Sequence, residues 1–500
     1  MPPDSETSSV ETKVRRALSR VTPAPGQARR NWSERTMLSR RPSHDDSCHY
    51  DKNKTGTPIV NNSPRVTWRS HYALCVLAVI YVCNYIDRYL VSILIEPIKL
   101  EFGVSDTSIG LLTGVAFALF YTVFGLPMGR LADRIGRKPV VALSCILWSL
   151  MTMLCGLATS FGMLLAFRIL VAVGEAGGSA PSVAMVADLY PARLRSRALS
   201  IFMMGPPIGI ALGLGAGGWI AEHYGWRAAF VVIGAPGILI GLLLALTVQA
   251  PRPAAVSMQM RQESFLKTVR SMLSLSSYRL ILIAGSLAAV AGNAIGTWNP
   301  SFLIRSHGLG IQEAGFLIGV VGGFTAALGT LACGIVTDRL TARDCGWQVG
   351  VAALGTLISV PFGLLFFFWP NGVAFTLAGN SVPTAFLFYI GFAFFATWWT
   401  VPCFGAMSGL FPPAKVAQAT ALFLMGVTLV GVGLGPLIVG VLSDFYRAAI
   451  GDQALRYAMA STIALLLVPV VCLSLAVPRY RRQTLDTPTL PAGKADTATA

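Results

Sequence analysis

Gly129-Arg130-Leu131-Ala132-Asp133-Arg134-Ile135-Gly136-Arg137-Lys138 is a strongly charged stretch set between two long apolar ones. The runs on either side, near 107–129 and 139–159, are each about 20 residues long, enough to cross a hydrocarbon core of roughly 30 Å. The stretch therefore reads as a tight polar loop between two membrane crossings. Its Gly and Asp spacing has no part in setting topology. Gly129 permits close helix contact, and Asp133 can face the positive N-terminal end of a helix in another part of the fold, such as span eleven below. Arg134 and Arg137 can pair with carboxylates such as Asp188 at the end of a later span. Such contacts form when one side closes and break when it opens. Gly129, Asp133, Arg134, Gly136 and Arg137 are thus candidates for a conformational latch.

Similar apolar runs recur along the 500 residues. Hydrophobic residues make up 54% and charged residues only 12%, against roughly a quarter charged in an ordinary soluble domain. Mean hydropathy is +0.62. Lipid is the expected solvent. Twelve spans are expected near 71–96, 107–129, 139–159, 162–189, 198–221, 227–248, 280–304, 312–337, 347–369, 380–410, 416–443 and 456–477. The expected fold is an all-α membrane protein with two pseudo-symmetric six-helix bundles, 70–248 and 280–477, joined by a cytoplasmic connector at 249–279. Residues 1–69 are rich in Ser, Arg, Pro and Asn and have no apolar run, which reads as a disordered cytoplasmic tail, with Met37 as an alternative start. Residues 478–500 read as a second cytoplasmic tail.

The two bundles read as repeats. Leu189-Tyr190-Pro191 before span five matches Leu410-Phe411-Pro412 before span eleven, and Met204-Gly205 matches Met425-Gly426. The loop after span two has a weaker partner after span eight, Gly334-Ile335-Val336-Thr337-Asp338-Arg339. That copy adds Asp338 and Arg339 to the latch candidates but lacks the later Gly-Arg-Lys. Duplication of a six-helix unit is a common transporter plan, with the solute site near the midplane between halves.

The net charge of +16 does not point to nucleic acid, because the basic residues lie between apolar runs and in the tails, with no recognisable nucleic-acid module. Counted by alternate loops, eighteen Lys and Arg fall on the side of the connector and the C-terminal tail, and five on the other. This bias predicts that both termini are cytoplasmic in a multi-pass plasma-membrane protein, the inner membrane if the source is bacterial. The nine cysteines are scattered and form no CxxC pair, so neither a disulfide framework nor a metal site is expected.

Charge near the bilayer centre costs roughly 2.5 kcal/mol or more per group, so ionisable residues inside spans mark function. Asp87 and Arg88 lie in Asn84-Tyr85-Ile86-Asp87-Arg88 of span one. Arg168 and Glu175 lie in span four, seven residues apart, which places them on one helix face. Counted from the span edges, Asp87 is about 22 Å and Arg168 about 21 Å from the inner boundary, with Glu175 about 10 Å deeper toward the cytoplasm. The expectation is an Asp87–Arg168 pair across spans one and four. Glu175 is then beside a central cavity, alternating between protonated and ionised forms. The rival reading is a static buried ion pair, but such pairs often contribute no net stability. Asn84, Asn293 and Trp298 are further cavity candidates, since Gly296 and Pro300 can break span seven where it lines a cavity. Trp398, with Tyr389 and Trp399 in span ten, could contact an apolar tail or serve packing. Arg305 and His307 at the outer end of span seven are expected to be solvated.

The Gly129–Lys138 stretch resembles the inner-loop signature of the major facilitator superfamily, G-x-L-a-D-r-x-G-r-k, in sequence and in its place between spans two and three. N-Y-x-D-R at 84–88, R-x6-G-E-A at 168–176 and the Y-P-x-x-x-R-x-R-A loop at 190–198 are similar to the spinster-like branch, well over 70–248 and more loosely beyond. Members of that branch are secondary transporters, several handling lysolipids or sphingoid lipids. The resemblance implies that Asp87 and Glu175 are proton-coupling carboxylates and Arg168 a substrate-anion or coupling residue, with Arg88 a second positive charge in the cavity. The organic-anion symporter branch shares N-Y-x-D-R and G-E-A. An organic-acid:proton symporter for sugar acids or aromatic acids therefore stays open, as do a drug or lipid exporter and, more remotely, a non-transporting membrane sensor.

No GxxxxGK[ST] loop is present to support ATP-driven transport, and no HExxH or comparable metal motif occurs. The expectation is a protein that is not an enzyme and needs no cofactor. It is a monomeric secondary active transporter, moving a small anionic or amphipathic organic solute with protons by alternating access.

Overall fold

The computed structural model describes residues 66–249, 265–370, 372–377 and 380–486. The expected N-terminal tail, except 66–69, lies outside the described residues. So do the first part of the connector and the last residues of the chain.

Ten continuous helical stretches among these residues are long and apolar enough to cross a membrane. Eight cross once. In chain order they are span one (Trp68–Ile93), two (Asp106–Ile135), three (Arg137–Cys155), four (Phe161–Leu189), seven (Ser276–His307), eight (Ile311–Thr341), nine (Trp347–Phe368) and ten (Thr384–Leu410). The other two, Arg193–Thr247 and Lys415–Thr484, hold 55 and 70 residues, far more than the about 20 that one crossing needs. Each reverses at a glycine with positive φ, Gly225 at 82° and Gly451 at 57°. Across the first reversal, a Cβ on Gly217 would lie 3.6 Å from the end of Ile233. Across the second, Tyr446 and Ser461 hydroxyls meet at 3.3 Å. These stretches are therefore spans five and six and spans eleven and twelve, and the described residues cross twelve times in two six-helix bundles.

The repeat is visible in the backbone. Tyr190 ends span four at φ −125°, ψ 138°, and Phe411 ends span ten at φ −126°, ψ 145°. Each precedes a proline, which forces the preceding residue out of helical geometry. Pro191 and Pro412 then start the next helix at φ −63° with ψ 156° and 153°. Single π-helical turns widen spans two, eight and eleven at Leu111–Val115, Leu317–Gly322 and Val427–Val432. Such turns often occur at functional sites.

The apolar packing has three main bodies. One belongs to the first half and centres on Trp148, Phe202 and Leu77. A second belongs to the other half and centres on Tyr278, Phe423 and Met407. The largest joins both halves, bringing Leu90, Ile98 and Leu112 together with Trp298, Phe302, Leu317 and Val439. It lies toward the end of the bundle opposite the Gly129–Lys138 loop. These two ends are called the far face and the basic face here. Large apolar side chains such as Leu246, Phe445 and Leu126 stand outward, 82%, 74% and 71% exposed. Such a surface is a liability in water and suits a lipid boundary.

The expected element limits differ at three places. A helix Phe265–Ser274 occupies the end of the connector, burying Thr268 and Met272, and span seven begins at Ser276. It is too short to register as an apolar run. Span ten starts at Thr384, because Val373–Leu377 and Asn380–Pro383 pair as an antiparallel hairpin before it. The last helix runs on to Asp486, past the limit expected at 477.

Candidate functional site

The four intramembrane charges converge, but in different pairs from those expected. Arg88 Nη2 donates to Glu175 Oε2 at 2.6 Å. Arg168 Nη1 donates to the main-chain oxygen of Asp87 at 3.4 Å. The expected Asp87–Arg168 side-chain pair is not made, and the Asp87 carboxylate forms no ion pair with any described residue. The reason is helical geometry. Adjacent residues point about 100° apart, so Arg88 turns to span four while the Asp87 carboxyl turns to Trp148 and Thr152 of span three. The near-level depth of Asp87 and Arg168 is as expected, since the guanidinium reaches the Asp87 backbone directly.

Span four is built to present Glu175. Its first helix, Phe161–Glu175, stops there and resumes at Ser179. Close packing on span three fixes this break: a Cβ on Gly174 would lie 2.9 Å from Trp148 Cβ. A carboxylate at a helix C-terminus is opposed by the helix dipole by roughly 0.3–1 kcal/mol. The Arg88 cation offsets that penalty. Glu175 is fully buried, Arg168 2% exposed and Asp87 2% exposed.

Arg88 also sits over aromatic faces. Its guanidinium carbon lies 4.8 Å from the Phe117 ring centroid and 5.2 Å from those of Tyr85 and Tyr121, within the range of cation–π attraction. Arg168 shares Phe117 at 5.7 Å. Around the four charges, several buried polar atoms have no hydrogen-bond partner: both amide atoms of Asn84, Arg88 Nε, Arg168 Nε and Glu175 Oε1. Each such atom costs about 1–3 kcal/mol when left unsatisfied, and their concentration where spans one, three and four meet marks a place able to receive a polar group. Asn84 and Trp148 line one narrow cleft with Tyr81, Ser179 and Ser182.

The candidates of the second half do not join this cluster. Trp298 is fully buried and its indole N–H donates to the Pro436 oxygen at 3.0 Å, binding span seven to span eleven. Asn293 donates to Ala289 O of its own helix at 2.8 Å. Trp398 packs among Cys333, Val351, Phe394 and Phe395, and accepts the Cys333 thiol on its main-chain oxygen at 3.3 Å. Sequence reasoning missed Phe117, Tyr121, Trp148 and Thr152. The Phe117 and Tyr121 spacing of one helical turn was the available signal. Among the described residues no group of His, Cys, Asp and Glu could hold a metal ion.

On the basic face Arg137 pairs with Asp188, one of the pairings expected. Gly136 closes span two at φ 97°. Asp133, Arg134, Asp338 and Arg339 are exposed, and none of the four side chains makes a hydrogen bond or ion pair with a described residue. Nor does Gly129 make the close contact expected of it, since a Cβ there would meet no atom within 4 Å. On the far face the expectation for Arg305 fails. It is not solvated, because it binds Asp106 through both terminal nitrogens at 2.9 Å and Glu96 through Nε at 2.9 Å. Lys99 pairs with the same Asp106. Sequence distance hid this cluster, which draws Glu96, Lys99 and Asp106 from the first half and Arg305 from the second. His307 packs edge-on against Phe302 at 5.4 Å.

A twelve-span bundle with a buried charge centre between its first and fourth helices defines a polytopic membrane protein built to move solutes. The profile of the Major Facilitator Superfamily matches residues 77–404, and the chain belongs to that superfamily, with a resemblance to its spinster-like branch. An MFS-type efflux pump of Mycolicibacterium smegmatis is 33% identical over 85% of this chain and 96% of its own length. The human protein spinster homolog 1 is 29% identical over 76% of this chain and 74% of its own. Among solved structures, a bacterial homolog of the human lysosomal transporter spinster, in an inward-facing and unoccupied conformation, superposes with a TM-score of 0.74 at 28% identity. That match covers 83% of this chain and 98% of the other.

Proposed function

We propose that this protein is a proton-coupled secondary transporter that carries an anionic or amphipathic organic solute by alternating access. The buried Arg88–Glu175 pair, beside an Asp87 carboxyl that makes no salt bridge with a described residue, is the observation that carries the reading. Arg88 is 20% exposed on its side chain and Glu175 not at all. An anionic solute therefore reaches Arg88 first. As the solute takes over the guanidinium, Glu175 loses its counter-charge, and a proton carried with the solute replaces it. Solute and proton are thereby bound together. Asp87 is the second carboxyl available for protonation. The aromatic rings around Arg88 suit an apolar or aromatic portion next to the anion.

On this reading the basic face is cytoplasmic, both termini are cytoplasmic, and the protein works as a monomer in the plasma membrane, the inner membrane in a bacterium. The family carries solutes across membranes, and the named relatives are transporters rather than enzymes. Export of lipids or drugs is the second reading, favoured by the similarity to the mycobacterial efflux pump.

The test is a thermal-shift screen of lysolipids against organic acids on the purified protein, followed by flux of the best binder into proteoliposomes. Binding of one class with flux driven by an imposed pH gradient supports the proposal. Flux of that binder that ignores the gradient contradicts the proton coupling.

A further inference from the structure

We propose that the glycine-and-acid pattern of the Gly129 loop is used four times in this chain, and that the two far-face copies, Gly218–Glu222 and Gly440–Asp444, are the latches that hold that face shut in the conformation seen here. The inference rests on the alternating-access reading and adds the residues that enforce it.

The four copies are Gly129-Arg130-Leu131-Ala132-Asp133, Gly218-Trp219-Ile220-Ala221-Glu222, Gly334-Ile335-Val336-Thr337-Asp338 and Gly440-Val441-Leu442-Ser443-Asp444. Each is a glycine, any residue, a branched aliphatic, a small residue and an acid, and each ends one of spans two, five, eight and eleven. The small residue before the acid is buried in all four, at Ala132, Ala221, Thr337 and Ser443. Copies on spans two and eight end on the basic face, and those on spans five and eleven on the far face.

The far-face copies are engaged, and both cross between the halves. Asp444 accepts the backbone N–H groups of Asp106 and Thr107 at 3.2 and 2.8 Å, at the start of span two. Glu222 accepts the Gln312 N–H at 2.7 Å, in the first turn of span eight. The first N–H groups of a helix have no partner within it, and negative charge there is favoured by the helix dipole. The glycines explain how the backbones come close enough. A Cβ on Gly440 would lie 2.3 Å from Asp106 O, and one on Gly218 would lie 2.9 Å from Ile311 O. At the span-eleven copy, Ser443 Oγ also donates to the Asp106 carboxylate at 2.7 Å, and this is the carboxylate that Arg305 grips.

The basic-face copies are in the opposite state. A Cβ on Gly129 or on Gly334 would meet nothing within 4 Å, and Asp133 and Asp338 are exposed. By the symmetry of the repeat, Asp133 faces the start of span eleven and Asp338 the start of span five when that side closes. Rocking the two bundles trades one pair of helix-end contacts for the other. The same short pattern, read at opposite ends of related spans, then balances the two conformations.

Amide hydrogen exchange of the full-length protein in lipid nanodiscs, read by mass spectrometry on both faces, tests this. In the unmodified protein, amides at 104–110 and 310–316 exchange slowly. Combining Asp444→Asn with Glu222→Gln speeds their exchange about tenfold, the effect of losing two helix-end charges. The same variant slows amides at 192–198 and 415–420, where the basic-face latches close. Combining Asp133→Asn with Asp338→Asn leaves the far face protected. Faster far-face exchange with no slowing at 192–198 or 415–420 would mean local capping only, and would overturn the proposal. Glu222→Gln alone gives the same reading with a smaller amplitude if the double variant does not fold. Reciprocal exchange of the two faces of the unmodified protein, on adding solute or shifting pH, tests alternating access separately. If that reciprocity persists while the variants act only locally, the latches fail and the transport reading stands.

Discussion

Arg88 and Glu175 meet at 2.6 Å across spans one and four, with the acid sealed from solvent and the base partly open. Removing one member of a buried pair leaves the other charge uncompensated, which costs about 3–5 kcal/mol. Glu175→Ala is expected to lower the thermal unfolding midpoint of the purified protein sharply. Combining it with Arg88→Ala is expected to restore part of that loss. A double variant no more stable than Glu175→Ala would show that the two side chains do not depend on each other.

Asp87 is 2% exposed, yet its carboxylate makes no salt bridge with a described residue. Asp87→Asn keeps the shape and breaks no salt bridge, and Arg168 keeps its bond to the main-chain oxygen of residue 87. It is expected to change stability by less than about 1 kcal/mol while uncoupling solute movement from protons. Thermal unfolding and pH-gradient flux measured on the same preparation check this. A large stability loss would assign Asp87 a structural role.

Two glycines of the basic-face loop are expected to behave differently. Gly136 sits at φ 97°, where a side chain is strained, so Gly136→Ala is expected to destabilise the protein by about 1–2 kcal/mol. Gly129 has open space where a Cβ would go. Gly129→Ala is therefore expected to leave the unfolding midpoint unchanged or slightly raised, since alanine is the better helix former, but to slow turnover, because the crowding arises only when this face closes. Unchanged turnover would remove Gly129 from the latch.

Asp344, in the loop between spans eight and nine, accepts the Gly346 N–H at 2.9 Å and pairs with Arg481 of the final helix. The Gly346 bond first, and then the Arg481 contacts, hold its carboxyl below the usual carboxylate value. Its contribution is therefore present above the unfolded value of about 4 and fades as pH falls through the lowered folded value. Both side chains are substantially exposed, so the effect is small. Asp344→Asn is expected to flatten the shallow acid-side slope of stability against pH. An unchanged slope would remove Asp344 as its source.

The crossings were legible because each is a continuous apolar run, and lipid imposes one length on all of them. The loop at Gly129–Lys138 was legible because its pattern is local. Buried charges announced themselves by their cost, so Asp87, Arg88, Arg168 and Glu175 could be named from the sequence. Their pairing could not, because it depends on which way each residue of span one is turned, and a rotation of one residue exchanges the partners of Asp87 and Arg88. The far-face cluster was illegible for another reason. Glu96, Lys99, Asp106 and Arg305 lie at span ends, where charge is ordinary, and only the packing of the two halves removes them from water. Trp298 and Trp398 looked alike in sequence and proved to be packing residues of the second half, because an aromatic side chain in a span fits a cavity wall or a helix seam equally well.

The most direct measurement is uptake of the best-binding solute by proteoliposomes carrying an imposed pH gradient, comparing the unmodified protein with Glu175→Gln. The account predicts that the unmodified protein accumulates solute against its gradient. Glu175→Gln still exchanges solute across the membrane but brings it only to equal concentration. Accumulation by Glu175→Gln to the level of the unmodified protein would contradict the account.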